Sequence, residues 1–272
     1  MIRKNGKMPR ESERHVEAVA KALSILECFT HSEPELSLKQ LTEKTGLNKS
    51  RILRLCGTLA GQGFLIRMPR SSYRLGPKLM MLGKIYERTN TLVSVARPIL
   101  RELASLTGES ASLFVIEGAK RLCLAREEGP SPIRYTITEG ALLELYAGAG
   151  GKALLAYASE EFRHQILNGR ILKRFTASTI VEWDLLEEEF EAIRKQGYAV
   201  SKGERTSEAA AMAAPVFDDE GKVCAVITVA GPVQRFSTER CREMLQSLQA
   251  SARKLSLLLG DRREFHTVKK DD

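Results

Sequence analysis

Polar side chains near the start of one short helical segment have the types and spacing to contact DNA. Asn48 is a good N-cap for this helix. Its apolar residues recur at i, i+3, i+4 and i+7 and would form one buried face: Ile52, Leu55, Cys56 and Leu59. At roughly 100° per residue, Ser50 and Arg54 point the opposite way, with Lys49 and Arg51 on the flanks. Short polar and arginine side chains on the first two turns of a helix suit the DNA major groove.

The neighbouring segments predict a winged helix-turn-helix around that helix. Ser37 would cap a preceding helix in LKQLTEKT, and Gly46 would end it. FLIR and SYRL predict two strands joined by a turn, a wing whose Arg67 and Arg70 would contact the DNA backbone. A first helix over His15–Phe29 would pack behind. Its predicted apolar stripe is Val19, Ala22, Leu23, Ile25, Leu26 and Phe29. From spacing alone, a small helical hairpin with a solvated charged face stays open as the alternative.

The distribution of charge favours the DNA-binding interpretation. The chain has 272 residues and a net charge of +8, and residues 1–76 hold 14 Lys and Arg against 7 Asp and Glu. The remaining residues hold 28 against 27, so nearly all of the excess positive charge lies in the helix-turn-helix segment. A basic small domain beside a nearly neutral larger one is typical of a protein that binds nucleic acid.

A glycine-rich segment, AGAGGKALL, is the second stretch that could bind a ligand. It is not a phosphate-binding P-loop, because Tyr146 stands where the first glycine is needed and Ala153 where Ser or Thr is needed. Amides at a helix start still favour anions, so Ala149, Gly150 and Gly151 could hold a carboxylate. A tight turn required only by packing stays equally open.

The remaining reactive side chains form no catalytic or metal-binding pattern. No serine lies in a G-x-S-x-G elbow, no histidine has a metal partner at i+4, and the 5 cysteines include no CxxC pair. We therefore expect no catalytic residue, metal or cofactor, and no enzyme activity.

No apolar run approaches the roughly 18 residues of a membrane helix, and no secretory signal opens the chain. We expect a cytoplasmic protein without a membrane partner.

From about Ala111 the apolar period changes from near four to near two, which indicates strands. SLFVIEG, RLCLARE and IRYTITE predict three successive strands, and later strands and helices follow without regular βαβ alternation. This pattern predicts an α+β domain on a mainly antiparallel sheet. Pro98 is expected to restart a helix. The predicted bounds are a basic disordered tail at 1–14, the winged helix at 15–76, a linker helix at 77–95, the second domain at 96–260 and a flexible tail at 261–272.

Several motifs, in this order and spacing, resemble those of the IclR family of bacterial transcription regulators over about Val16–Gly260. They are NKSRILRLCGTLAGQGFLIR followed by YRLG, then GGKALLAY, FTASTI, EAIRKQGYAVSKGE, AAPVFDDEG and VAGP. Each motif is weak alone, but the ordered set is highly specific. The resemblance implies a winged-helix DNA-binding domain, a linker helix and a GAF-like C-terminal domain that binds a small organic acid or related metabolite. It also implies a homodimer or a dimer of dimers.

The same resemblance implies an effector pocket in the C-terminal domain. The pocket would be lined by Ala149, Gly150, Ser201, Ala211, Thr228 and Ala230. Ser201 matches a position that is acidic in some relatives. The chain departs from the family at Ser207-Glu208, where relatives usually have Gly, and at Tyr146, where relatives often have His.

These departures leave the effector's identity open. We favour an anion held by backbone amides together with Thr228, while a neutral or aromatic ligand remains an alternative. Arg126 and Arg134 could supply a charge partner if they face inward.

Together these observations predict a DNA-binding transcription regulator switched by a small metabolite, an organic or aromatic acid. A dimer would read a near-palindromic operator in double-stranded DNA. The alternative is a metabolite-binding protein whose winged helix mediates protein contacts or non-specific nucleic-acid binding.

Overall fold

The computed structural model describes residues 16–30, 32–131, 137–167 and 171–263. Its contacts divide the chain into two compact units, Met1–Thr89 and Asn90–Asp272. This division falls before the predicted start of the second domain at residue 96, and the predicted tail at 1–14 lies outside the described residues. Each unit has its own sheet and its own apolar core.

The first unit is a winged helix-turn-helix, as predicted. Its elements are α1 (Glu17–Leu26), β1 (Glu35–Ser37), α2 (Leu38–Thr45), α3 (Lys49–Gly61), β2 (Leu65–Met68), β3 (Ser72–Leu75) and α4 (Pro77–Thr89). The strands form an antiparallel sheet in the order β1-β3-β2, so the hairpin of β2 and β3 is the wing.

Side-chain caps fix the turn between α2 and α3. The Ser37 hydroxyl accepts from the Gln40 amide at 3.3 Å while Gln40 Oε1 accepts from the Ser37 amide at 2.9 Å, a reciprocal capping box. Gly46 ends α2 at φ 70°, a conformation that only glycine adopts without cost. Asn48 Oδ1 then accepts from the Arg51 amide at 2.9 Å and starts α3.

The core of this unit confirms the predicted buried face of α3 but corrects that of α1. The buried side chains are Ile25, Phe29, Leu36, Leu41, Ile52, Cys56, Leu59, Leu65 and Tyr73. In α1, Val19 and Leu23 are 55% and 51% exposed, although the sequence pattern placed them in the buried stripe. The apolar stripe of α1 is wider than the surface that α2 and α3 cover, so only its edge at Ile25 is buried.

Helix α4 follows the wing and has no buried residue among its 13. Its apolar side chains are exposed in a row: Met80, Met81, Leu82, Ile85 and Tyr86. Most of the apolar surface of this helix is therefore left uncovered within its own unit.

The second unit is an α+β domain, also as predicted. Its elements are α5 (Thr91–Thr107), β4 (Ser110–Glu117), β5 (Lys120–Glu127), β6 (Leu142–Glu144), α6 (Ala149–Ala156), α7 (Glu160–Leu167), α8 (Trp183–Gln196), β7 (Ala199–Lys202), β8 (Ala209–Phe217), β9 (Val223–Pro232) and α9 (Thr238–Leu258). The six strands are antiparallel in the order β6-β5-β4-β9-β8-β7.

Helices cover both faces of this sheet, and strand alternation assigns each side chain to a face. Leu113 and Ile227 belong to the core that includes α5 and α9. Their neighbours Phe114 and Val226 belong to the second core, with α6, α7 and α8. Alternate residues of β4 and β9 therefore point toward the start of α6.

Three expectations about this unit need correction. Helix α5 runs straight through Pro98, because its buried face outweighs the roughly 3 kcal/mol that an internal proline costs. The segment IRYTITE lies partly outside the described residues. Its described part is not a strand, and β5 pairs instead with Leu142–Glu144. Asp261 is buried and bonded to Arg253 and Arg263, so residues 261–263 belong to the folded unit and not to a tail.

Candidate functional site

The first candidate surface is the face of α3 opposite its buried side. Burial of Ile52, Cys56 and Leu59 turns the intervening residues outward. Each residue predicted to contact DNA from this helix is exposed: Lys49, Ser50, Arg51 and Arg54. The helix therefore presents three positive side chains and one hydroxyl from its first two turns.

One carboxylate lies among these basic groups. The Arg51 guanidinium is 4.0 Å from the carboxylate of Glu17 on α1, which also pairs with Lys21. An open groove between α1 and α3 is lined by both residues together with Ser50 and Arg54. Arg54 is an exposed cation of this groove with no acidic group placed beside it among the described residues.

The wing carries its basic side chains at a fixed tip. Arg67 lies on β2 opposite Tyr73, and Arg70 lies in the turn that joins β2 to β3; both arginines are exposed. Arg70 and Ser71 adopt φ of 59° and 57°, a left-handed conformation that is uncommon for residues other than glycine. The hairpin pairing holds this turn in place.

The second candidate site is a cavity of about 40 Å³ beside the start of α6. It is lined by Phe114, Arg121, Ile137, Gly148, Ala149, Gly150, Ser201, Glu204, Arg205, Ala209, Ala210, Ala211, Thr228 and Ala230. All six positions that the sequence assigned to an effector pocket are among them. Residues from five strands and one helix start thus converge on one small space.

Two amides at the start of α6 are already engaged by side chains of the protein. The Gly148 amide donates to the Glu204 carboxylate at 2.8 Å, and the Ala149 amide donates to the Ser201 hydroxyl at 3.0 Å. Glu204 also accepts from the buried Lys152 ammonium at 2.6 Å. Of the three amides predicted to hold a carboxylate, that of Ala149 is therefore engaged by a side-chain hydroxyl, while Glu204 occupies the amide of Gly148, which lies just before them.

Two arginines supply the positive charge of the cavity wall. Arg121 is 3% exposed, stacks on Phe114 at 5.1 Å from the ring centroid and donates to the Gly148 carbonyl at 3.5 Å. Arg205 lies 5.0 Å from the Phe175 ring centroid. Guanidinium groups stay protonated at any ordinary pH, so both carry full charge.

Sequence reasoning missed both arginines and named two others. Arg126 donates to Ser112 at 3.2 Å and does not line the cavity, and Arg134 lies outside the described residues. The strand pattern could have identified Arg121, because it lies two residues before Cys123 in β5 and therefore points to the same face of the sheet. Arg205 lies in a loop, where no such alternation predicts the direction of a side chain.

The two family departures noted in the sequence also lie away from the cavity lining. The Tyr146 hydroxyl donates to the Lys173 carbonyl at 2.8 Å, and the exposed Glu208 accepts from Ser207 at 2.6 Å.

Within the described residues, no three His, Cys, Asp or Glu side chains are placed to hold a metal ion. Burial raises the pKa of the Cys56 and Cys224 thiols to about 11 and that of Cys123 to about 12. In the part of the chain that the structure describes, no helix has both the length and the apolar character to cross a membrane.

Comparisons with known proteins agree with both units. Residues 18–69 match the family profile described as the IclR helix-turn-helix domain, and residues 86–257 match the profile of the bacterial transcriptional regulator IclR C-terminal region. The HTH-type transcriptional regulator BhcR of Paracoccus denitrificans is 33% identical over 260 residues, which cover 95% of this chain and 93% of BhcR.

Solved structures share the same fold. An IclR transcriptional regulator from Alicyclobacillus acidocaldarius superposes with a TM-score of 0.83 at 29% identity, covering 90% of this chain and 100% of that one. An IclR homologue from Microbacterium hydrocarbonoxydans, complexed with 4-hydroxybenzoate, has a TM-score of 0.77 at 23% identity, covering 89% and 99%. The exposed basic helix and the wing lie in the region that matches the first profile, and the cavity lies in the region that matches the second. The chain belongs to the IclR family of bacterial transcription regulators, with a helix-turn-helix DNA-binding unit and a C-terminal effector unit.

Proposed function

We propose that this regulator binds a near-palindromic operator through α3 and the wing, and that a small organic acid in the cavity of the second unit changes its affinity for DNA. The observation that carries the DNA-binding part is the joint exposure of Lys49, Ser50, Arg51 and Arg54 on one helix face. Ser50, Arg51 and Arg54 would contact bases or phosphates, and Lys49 would contact the backbone at the helix start. Arg67 and Arg70 would bind phosphates from the wing.

A near-palindromic site requires two copies of the winged helix. In a dimer, two recognition helices would lie in successive major grooves about 34 Å apart on one face of the duplex. The exposed apolar row on α4 supports a self-association surface, because soluble proteins rarely leave such a row uncovered. Replacing Ile85 by Asp should lower the molar mass in solution measured by light scattering. An unchanged mass would exclude α4 from the interface.

Because the target is DNA, the protein would work in the cytoplasm.

The size of the cavity supports a compact effector rather than an aromatic one. At about 10–15 Å³ for each water-sized probe, 40 Å³ accommodates about three or four atoms of that size. A cavity that encloses benzene is closer to about 150 Å³. An aromatic acid, such as the 4-hydroxybenzoate bound by the Microbacterium homologue, would require the walls to move.

Binding of the acid would act by favouring one arrangement of the two winged helices over others. A ligand shifts such an equilibrium only through its different affinity for the two states. A thermal-shift screen should therefore show stabilisation by compact acids, since binding to the folded state alone raises stability by RT ln(1 + [L]/Kd). Stabilisation by aromatic acids alone would contradict the size argument.

Selective protection of DNA tests the regulator itself. The protein should protect a short inverted repeat in a footprint at physiological salt and bind scrambled DNA far more weakly. Equal affinity for both sequences would favour the alternative, in which the winged helix mediates protein contacts or binds nucleic acid without selectivity.

A further inference from the structure

We propose that the Arg205 side chain, with Arg121 beside it, holds the carboxylate of the effector, and that the Gly148 and Ala149 amides do not. This inference rests on the proposed function of the cavity as an effector site and names the groups that would select an anion there. The ligand class is a carboxylic acid of two or three carbons in its ionised form.

The first step of the argument is that two amide donors at the helix start are in use. The Gly148 amide is 2.8 Å from Glu204 Oε2, and the Ala149 amide is 3.0 Å from Ser201 Oγ. A carboxylate of the protein thus already takes the position where a helix start favours an anion. A ligand carboxylate that bound these amides would have to displace both side chains.

The second step is that Arg205 has hydrogen-bonding capacity to spare. Its Nε and Nη1 atoms are shielded from solvent, and neither has a hydrogen-bond partner within the described residues. The Phe175 ring, 5.0 Å away, contacts the guanidinium but cannot replace an acceptor for its N–H groups. Buried donors without acceptors are costly, and a carboxylate is the acceptor that a guanidinium binds most strongly.

The third step is the convergence of both arginines at one glycine. A Cβ on Gly148 would lie 3.3 Å from Arg121 Nη2 and 3.4 Å from Arg205 Cδ, so both side chains reach the same end of the cavity. Among the described residues that line the cavity, Glu204 is the one acidic residue, and it is paired with Lys152 at 2.6 Å. The positive charge of Arg205 is therefore not cancelled by that carboxylate.

The fourth step concerns how Arg205 is held in place. The Thr176 hydroxyl donates to the Gly203 carbonyl at 2.6 Å, and the Thr179 hydroxyl donates to the Glu204 carbonyl at 2.7 Å. Thr179 is 1% exposed, so its bond is protected from water. The backbone that precedes Arg205 is thus fixed before any ligand arrives, which lowers the entropic cost of binding.

Calorimetric titration of the full-length protein tests the proposal with acetate, glycolate and lactate, each paired with its neutral amide. Arg205→Met removes the charge but keeps most of the apolar stem of the side chain. Lys173→Met is the matched control: Lys173 loses the same charge and lies 5.2 Å from the same ring, but it does not line the cavity.

We expect at least one acid to bind the wild type more tightly than its amide. Arg205→Met should weaken that acid by about tenfold or more, while its amide and the Lys173→Met protein change by less than about twofold. Arg205→Lys should keep part of the preference, since it retains charge without the planar guanidinium. This second variant also guards against loss of folding in the first, and thermal melting of each protein checks for it.

An unchanged preference for the acid in folded Arg205→Met would overturn the assignment of Arg205 and leave the effector function intact. Equal weakening of acid and amide would also overturn it, because a purely structural role affects both. Absence of binding by any of the acids to the wild type would overturn the compact-acid proposal together with this inference.

Discussion

The two units use charged side chains in opposite ways. On the winged helix, the basic residues of α3 and the wing are exposed and held by few partners. In the effector unit, Lys152 is 1% exposed and bridges Glu189 and Glu204 at 2.7 and 2.6 Å, while Arg121 is buried at the cavity. Charge on the first unit is available for a large partner, whereas charge in the second supports the fold and faces a small space. Substitutions of the basic residues in the first unit should therefore affect DNA binding, whereas loss of the buried charge pair in the second should affect stability.

Loss of the Lys152 charge should give the largest effect. Lys152→Met leaves Glu204 buried without its cation, and breaking a buried pair in this way costs about 3–5 kcal/mol of unfolding free energy. Denaturant unfolding followed by circular dichroism measures the change. The matched control Lys49→Met removes an exposed charge from the first unit and should leave stability almost unchanged. Similar losses of unfolding free energy in Lys152→Met and Lys49→Met would contradict the proposed difference between the two units.

Glycines in the two units should respond in opposite directions to alanine. A Cβ on Gly151 would overlap the Leu145 carbonyl oxygen, so Gly151→Ala should cost about 3 kcal/mol by forcing the backbone to move. Gly57 in α3 has open space around its Cβ position, and Gly57→Ala should stabilise by about 0.5–1 kcal/mol. Thermal melting of both variants measures the two changes in stability. A Gly151→Ala protein as stable as the wild type would show that the start of α6 is less tightly packed than described.

Removal of Arg54 should affect DNA binding and leave folding intact. If Arg54 contacts a guanine, Arg54→Ala should cost about 1–3 kcal/mol of operator affinity and relax selectivity at one base pair. Arg70→Ala should instead reduce the slope of log affinity against log salt by about 0.9, the signature of one lost phosphate contact. The exposed Arg101 of the second unit gives a charge-matched control. Unchanged affinity and selectivity in Arg54→Ala would refute the recognition-helix assignment.

Acid should weaken the effector unit through Asp261. Hydrogen bonding from Arg263 lowers the pKa of this carboxyl from 3.8 to about 2. Because the folded-state pKa is the lower one, its stabilising contribution is complete above about pH 4 and is lost as the pH falls toward about 2. Asp261→Asn should therefore lower the melting temperature at neutral pH, with a difference from wild type that shrinks below pH 4. A difference that stays constant with pH would exclude the ion pairs as its source.

The sequence predicted most of the first unit because exposure there follows from local periodicity. Once Asn48 caps α3 and Ile52 and Cys56 are buried, the helical repeat decides which side chains face outward. The prediction that Val19 and Leu23 of α1 are buried was wrong. An apolar stripe shows which face of a helix can pack, but it does not show how much of that face a neighbouring element covers.

In the second unit, the resemblance of the ordered motifs to a known family indicated the six positions that line the cavity. The periodicity of the sequence could not show which charged side chains, Arg121 and Arg205, lie beside them. Arg205 becomes part of the cavity only through the loop that Thr176 and Thr179 hold, and these residues lie far apart in sequence. Pro98 shows the same limit: local propensity predicted a helix break, and the tertiary packing of α5 overrode it.

The capping of α6 by Glu204 has a consequence for how such a sensor can evolve. The helix that forms one wall of the cavity obtains its electrostatic complement from the protein, so it remains intact when the site holds no ligand. Changes at Arg205 or at the small residues of β8 could then alter which molecule is sensed without loosening the wall. A family built on this plan could acquire new chemical signals one side chain at a time while its DNA-binding output stays the same.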